Sequence, residues 1–102
     1  MIRIQLPFHL QTLARCGKEV VVDVSANAPA PITLRAVIRA LETQFPVLQG
    51  TVIDHYTDQR RPKVRFFASG TDLSLQSLDQ PLPETVCNGT EPLLIIGAIS
   101  GG

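Results

Sequence analysis

The sequence of 102 residues has no tryptophan, one tyrosine, one methionine and two cysteines, and aromatic residues make up 5% of it. With so few aromatics, and none interleaved with basic residues, it lacks the stacking platforms used to hold RNA or single-stranded DNA. It also lacks an excess of either charge. Nine Lys and Arg balance nine Asp and Glu, which leaves no global field to attract nucleic acid or an anionic membrane. No apolar stretch approaches the roughly 18 residues needed to span a bilayer. Arg3 and Gln5 break up the first apolar residues, so a secretory core is not expected there and a cytoplasmic protein is. Cys16 and Cys87 form no C-x-x-C, and His9 and His55 have no carboxylate or cysteine at ligand spacing. A zinc site, a dithiol redox motif and an acid–base pair are therefore not expected.

What is present suits one soluble domain. Hydrophobic residues make up 44% and charged residues 18%, enough for a single core at this length. Ile2-Arg3-Ile4-Gln5-Leu6 alternates at period two, as a half-buried strand does, and Pro7 ends it. Residues 8–16 form a mixed segment before Gly17. Glu19-Val20-Val21-Val22-Asp23-Val24 then reads as a second strand with Val20, Val22 and Val24 on one face. The two strands are expected to pair antiparallel through a long connection.

Residues 25–31, rich in Ala and Pro, read as a loop. Thr33 is placed to cap a helix, with Ile32 and Val37 as a hydrophobic staple. Leu34, Val37, Ile38, Leu41 and Phe45 make one apolar stripe, leaving Arg35, Arg39 and Glu42 to face water. Pro46 stops the helix. Leu48, Val52 and Ile53 around Gly50 form a turn beneath the sheet, and residues 55–63 an exposed loop. Val64-Arg65-Phe66-Phe67-Ala68 is a third strand, Ser69-Gly70-Thr71-Asp72 a turn, and residues 72–77 a short edge strand. Turns follow at residues 78–82 and at Asn88-Gly89. Residues 93–99 form a final strand, apolar on both faces and therefore central. One helix on a four- to five-stranded mixed sheet is an α+β two-layer arrangement of the β-grasp kind. In it Cys16 and Cys87 fall at opposite ends of a strand, roughly 17 Å apart, too far for a disulfide, which needs about 7 Å or less.

After that last strand come Ala98-Ile99-Ser100-Gly101-Gly102. Two closing glycines cap no helix and turn no corner. They carry no side chain that would keep a carboxyl carbon out of a narrow channel. The expected division is a domain over residues 1–97 and a flexible tail over residues 98–102.

Five segments resemble the ubiquitin-like sulfur carriers, the MoaD/ThiS family. Leu6-Pro7 with Leu10, Leu13 and Ala14 is similar to the family's LPxxLRxLAG start. Residues 40–50 resemble its aLExxyPgLrg helix end, residues 67–72 its FVNGEDV turn, and Leu78-Asp79-Gln80-Pro81-Leu82 its GLDTPL. Ala98-Ile99-Ser100-Gly101-Gly102 resembles its closing AVAGG. Three departures stand out, one being Ala68 and Ser69 at two asparagine-type positions of the family's third strand. Asn88-Gly89-Thr90-Glu91-Pro92 is longer and less charged than the family's DGDEV, and Gly97 replaces a proline, implying a more flexible exit for the tail.

The resemblance implies a non-enzymatic ubiquitin-like carrier that binds no cofactor itself. A partner adenylyltransferase, similar to ubiquitin-activating enzymes, would use ATP and Mg to adenylate Gly102, with Gly101 leaving access to it. A sulfur donor would then form a thiocarboxylate, and a downstream synthase, such as a molybdopterin synthase large subunit, would consume the sulfur. The sequence itself has no P-loop or Gly-rich phosphate cradle for ATP. Phe8, Phe67 and Ile96 are candidate partner-binding residues because each falls opposite better core neighbours, and Ile99 and Ser100 would enter the partner with the tail. A protein modifier joined to lysines through Gly102, or a β-grasp interaction module with an inert tail, fits the same residues. Arg60, Arg61, Lys63 and Arg65 form a local basic run, read as a solvated loop and edge strand or as a docking patch for an acidic partner.

Overall fold

The computed structural model describes residues 1–24 and 31–97. The expected loop at 25–30 and the tail at 98–102 lie outside the described residues. β1 (Ile2–Gln5) pairs antiparallel with β2 (Glu19–Val22), with Ile2 opposite Val22 and Ile4 opposite Val20. β7 (Leu93–Gly97) runs parallel to β1 on one side and antiparallel to β5 (Val64–Ala68) on the other. A two-residue β6 (Thr71–Asp72) closes the sheet, giving the order β2-β1-β7-β5-β6. The apolar last strand is central, as its composition requires.

The main helix, α2 (Leu34–Gln44), starts at Thr33, whose hydroxyl accepts from the Ala36 N–H at 3.2 Å. Leu34, Val37, Ile38 and Leu41 are buried against inward residues of every long strand: Ile2, Ile4, Val20, Val22, Phe66, Leu93 and Ile95. A 3₁₀ turn, Pro46–Leu48, follows Phe45 and buries Leu48. With the main helix on one face, no described helix covers the other face of the sheet, which carries Arg3, Gln5, Arg65, Phe67, Leu94 and Ile96 by period-two alternation.

Five expectations change. Residues 8–16 are not irregular: Phe8–Ala14 form a helix, α1, which a left-handed Arg15 (φ 54°) ends. Glu42 does not face water but is 5% exposed, because His55 folds over that flank of α2 with its Nε2 3.7 Å from Glu42 Oε2. The loop at 55–63 contains a small hairpin, β3 (Ile53–Asp54) with β4 (Gln59–Arg60). Arg35 and Arg39 tie that hairpin to α2 through Asp58, each at 2.8 Å. The edge strand is Thr71–Asp72, reached by a tight turn in which Ser69 (φ 53°) and Gly70 (φ 72°) are both left-handed, as a two-residue hairpin demands. Beyond it, Ser74 is buried and its hydroxyl accepts from the Phe66 N–H at 2.8 Å, a bond the short strand cannot supply. Finally, Glu84–Cys87 form a single helical turn, α3, before the Asn88-Gly89 turn.

Candidate functional site

The sheet directs attention to the end of β7. Gly97, its last residue, is in register with Val64 of β5. On the uncovered face, Leu94 lies between Gln5 of β1 and Phe67 of β5, and Ile96 lies opposite Arg65. Pro7 sets the first turn of α1 without a side-chain cap, which places Phe8 at the rim, 73% exposed. Phe8, Leu94, Ile96 and Gly97 line a groove of about 310 Å³, with Lys18 at its edge. Ile96 is 46% exposed in the middle of a sheet. Such an apolar group, rimmed by polar residues, is the pattern of a contact surface.

Of the sequence-derived candidates, the structure therefore brings Phe8 and Ile96 together. Phe67 shares the sheet face but is half-buried beside Leu94 and does not line the groove. Ile99, Ser100, Gly101 and Gly102 lie outside the described residues. Leu94 was missed, although its spacing of two from Ile96 would have found it.

A second cavity opens on the other side of Gly97, about 320 Å³ in volume, lined by His9, Thr51, Arg61, Lys63, Val64 and Gly97. The His9 imidazole lies against Gly97, so that a Cβ at position 97 would come 2.6 Å from His9 Cε1. Gly97 is thus a paired strand residue under a ring, and small size rather than a loosened backbone is what this position uses. The expected flexible exit concerns residues 98–102, which lie outside the described residues.

The basic run separates into three roles. Arg60 turns inward and donates to the carbonyls of Ser74 (2.8 Å) and Val64 (2.7 Å). Arg61 and Lys63 face the second cavity. Arg65 stands on the outer sheet face, 3.6 Å from Asp72, in a strand that β6 keeps from being an edge. Across the sheet the Arg3 guanidinium, with help from Gln5, holds the Glu19 carboxyl below its ordinary pKa.

Nothing among the described residues groups three potential metal ligands. Both cysteines are free, and burial, reinforced by the charge of Glu84, pushes the Cys87 thiol pKa up, away from reactivity. No described helix is long and apolar enough to cross a membrane.

Comparison with solved structures identifies the architecture. A chain of the BexX/CysO complex from Amycolatopsis orientalis superposes with a TM-score of 0.74 at 14% identity, over 100% of both chains. CysO from Mycobacterium tuberculosis gives 0.73 at 18% identity, over 97% of this chain and 100% of that one. SAMP1 from Haloferax volcanii gives 0.70 at 21% identity, over 98% and 97%. The fold is the ubiquitin-like β-grasp. No family profile and no curated protein matches the chain by sequence. On this β-grasp scaffold the groove and the cationic cavity flank the last residue of the central strand, and residues 98–102 follow directly.

Proposed function

We propose that the protein is a sulfur carrier whose Gly102 carboxylate is activated by a partner enzyme. The observation that carries this reading is the position of Gly97. It ends a strand hydrogen-bonded on both sides, beside an apolar groove, and is followed by five residues closing in Gly-Gly. Five residues reach at most about 17 Å when extended, enough to carry a carboxyl group into a partner's interior while Phe8, Leu94 and Ile96 stay docked outside.

The chemistry is that of an unreactive carboxylate. Ionised at neutral pH, with a reference pKa of about 3.5, Gly102 acylates nothing until one of its oxygens attacks the α-phosphorus of ATP and displaces pyrophosphate. In the resulting acyl-adenylate, hydrosulfide from a sulfur donor adds to the carbonyl carbon, and AMP leaves with the carboxylate oxygen. The product is a thiocarboxylate. A synthase in molybdopterin-type cofactor or amino-acid biosynthesis then takes the sulfur. ATP and Mg belong to the partner's active site, and this chain supplies the docking face and the acyl group.

Deleting Gly102, or replacing Gly101→Val, is expected to abolish thiocarboxylate formation while circular dichroism and melting stay unchanged. Normal thiolation of either variant sinks the reading. The name of SAMP1, a small archaeal modifier protein, supports a second use of the same activated end, conjugation to lysine. Gly102-dependent adducts of high mass on denaturing gels of cell extract are the mark of that use.

A further inference from the structure

We propose that the cavity formed by His9, Thr51, Arg61, Lys63 and Gly97 receives an Asp or Glu side chain from an acidic segment of the protein that takes up the tail. The proposal rests on the carrier reading and adds the chemistry of the partner's surface.

Three observations support it. The cavity draws its polar groups from separate parts of the fold: His9 from α1, Thr51 from the turn after Leu48, and Arg61 and Lys63 from the link between β4 and β5. About 320 Å³ holds a carboxylate side chain and the backbone that carries it. Second, the positive charge there is largely unspent. Lys63 has no hydrogen bond or ion pair among the described residues, and Arg61 meets only Asp54, at 4.0 Å, although its Nε donates to the Gly50 carbonyl. Among the described residues, no carboxylate lines the cavity.

Third, the apolar groove and the cationic cavity meet at Gly97, which lines both, and Lys18 at the groove's edge is likewise unpaired among the described residues. A chain with zero net charge therefore presents a local positive potential around its docking face. Complementary charge at such a rim fixes orientation and accelerates encounter more than it adds affinity. A protein partner is favoured over nucleic acid because His9 is the one aromatic ring among the described lining residues, with no Phe, Tyr or Trp beside it to make a stacking platform.

The test measures binding of the full chain to the ubiquitin-activating-enzyme-like adenylyltransferase of the same genome, by fluorescence anisotropy from about 50 to about 300 mM salt. Lys63→Glu is expected to weaken binding about tenfold at low salt and to flatten its salt dependence. Arg61→Gln with Lys63→Gln acts in the same direction. Gln76→Glu with Gln80→Glu, which changes net charge equally on exposed positions outside the cavity, is expected to stay within about twofold of wild type. Wild-type affinity in Lys63→Glu overturns the proposal, as does equal weakening in the Gln76/Gln80 control. Tighter binding of a single-stranded oligonucleotide, lost in Lys63→Glu, overturns it in favour of nucleic acid. ATP–pyrophosphate exchange run in parallel separates the two readings. Exchange with charge-insensitive binding removes this inference alone, and Lys63-dependent binding without exchange removes the carrier reading alone. Absence of any binding by the wild type removes both.

Discussion

The imidazole of His9 lies on the Cα of Gly97, with the ring's Cε1 2.6 Å and its Nε2 3.2 Å from where a Cβ would stand. The contact joins the first helix to the end of the central strand and closes the partition between an apolar groove and a cationic cavity. Because the clashing atoms belong to the end of an exposed side chain, a larger residue at position 97 displaces the ring and leaves the strand in place.

Gly97→Ala is accordingly expected to change stability by less than about 0.5 kcal/mol, in the range of surface substitutions, while shifting the His9 ring resonances in a carbon–proton correlation spectrum. An unchanged His9 signal contradicts the contact.

The buried hydroxyl of Ser74 is expected to matter more. It satisfies the Phe66 N–H, which is buried in β5 where the two-residue β6 has already ended. Ser74→Ala leaves that donor unpaired and is expected to cost about 1–3 kcal/mol in urea unfolding. A variant as stable as wild type means the N–H finds another acceptor.

Glu42 behaves in the opposite sense. Its Oε2 is buried without a hydrogen-bond partner among the described residues, and its ion-pair partners, His55 Nε2 and Arg39 Nη1, each stand 3.7 Å from one of its oxygens. Glu42→Met keeps helix propensity and removes the unsatisfied carboxylate, with an expected gain of about 1 kcal/mol. A lower urea midpoint in this variant shows instead that the His55 contact contributes net stability.

Acid sensitivity follows from four carboxylates, three exposed and Asp54 half-buried, whose pKa values are lowered on folding: Glu19 by Arg3, Asp54 by the Tyr56 N–H, Asp72 by Ser74 and Asp79 by Arg35. Each folded pKa lies below its unfolded value, so the unfolded chain binds more protons as acid is added. Their contribution is present above the unfolded values of about 4 and is lost as pH falls through the folded ones. The urea midpoint is expected to be level from about pH 7 to about pH 5 and to fall below that. A midpoint that rises on acidification contradicts the assignment.

Much of the scaffold was legible because it is periodic. Thr33, the stripe from Leu34 to Leu41, and Pro46 define α2 locally, and the alternation of Ile2, Ile4, Val20 and Val22 defines a strand pair. The apolar run from Leu93 marks β7 as a central strand on composition alone. The short helices escaped for a physical reason. In α1 only Leu10 is buried, Phe8 and Leu13 are exposed, and Pro7 offers no side-chain cap, so no apolar stripe announces it. Glu42 was misplaced because the group that covers it, His55, arrives from a hairpin of two-residue strands. At the site, Phe8 and Ile96 could be chosen as apolar residues facing away from the core. The contact of His9 with Gly97 joins opposite ends of the chain and left no local trace.

Intact mass spectrometry tests the central claim most directly. The full chain is incubated with ATP, Mg, sulfide and the ubiquitin-activating-enzyme-like adenylyltransferase of the same genome. A gain of about 16 Da, the exchange of one oxygen for sulfur, located on Gly102 by fragmentation, is the expected result. An unchanged mass, with the enzyme shown to be active in ATP–pyrophosphate exchange on this chain, contradicts sulfur loading.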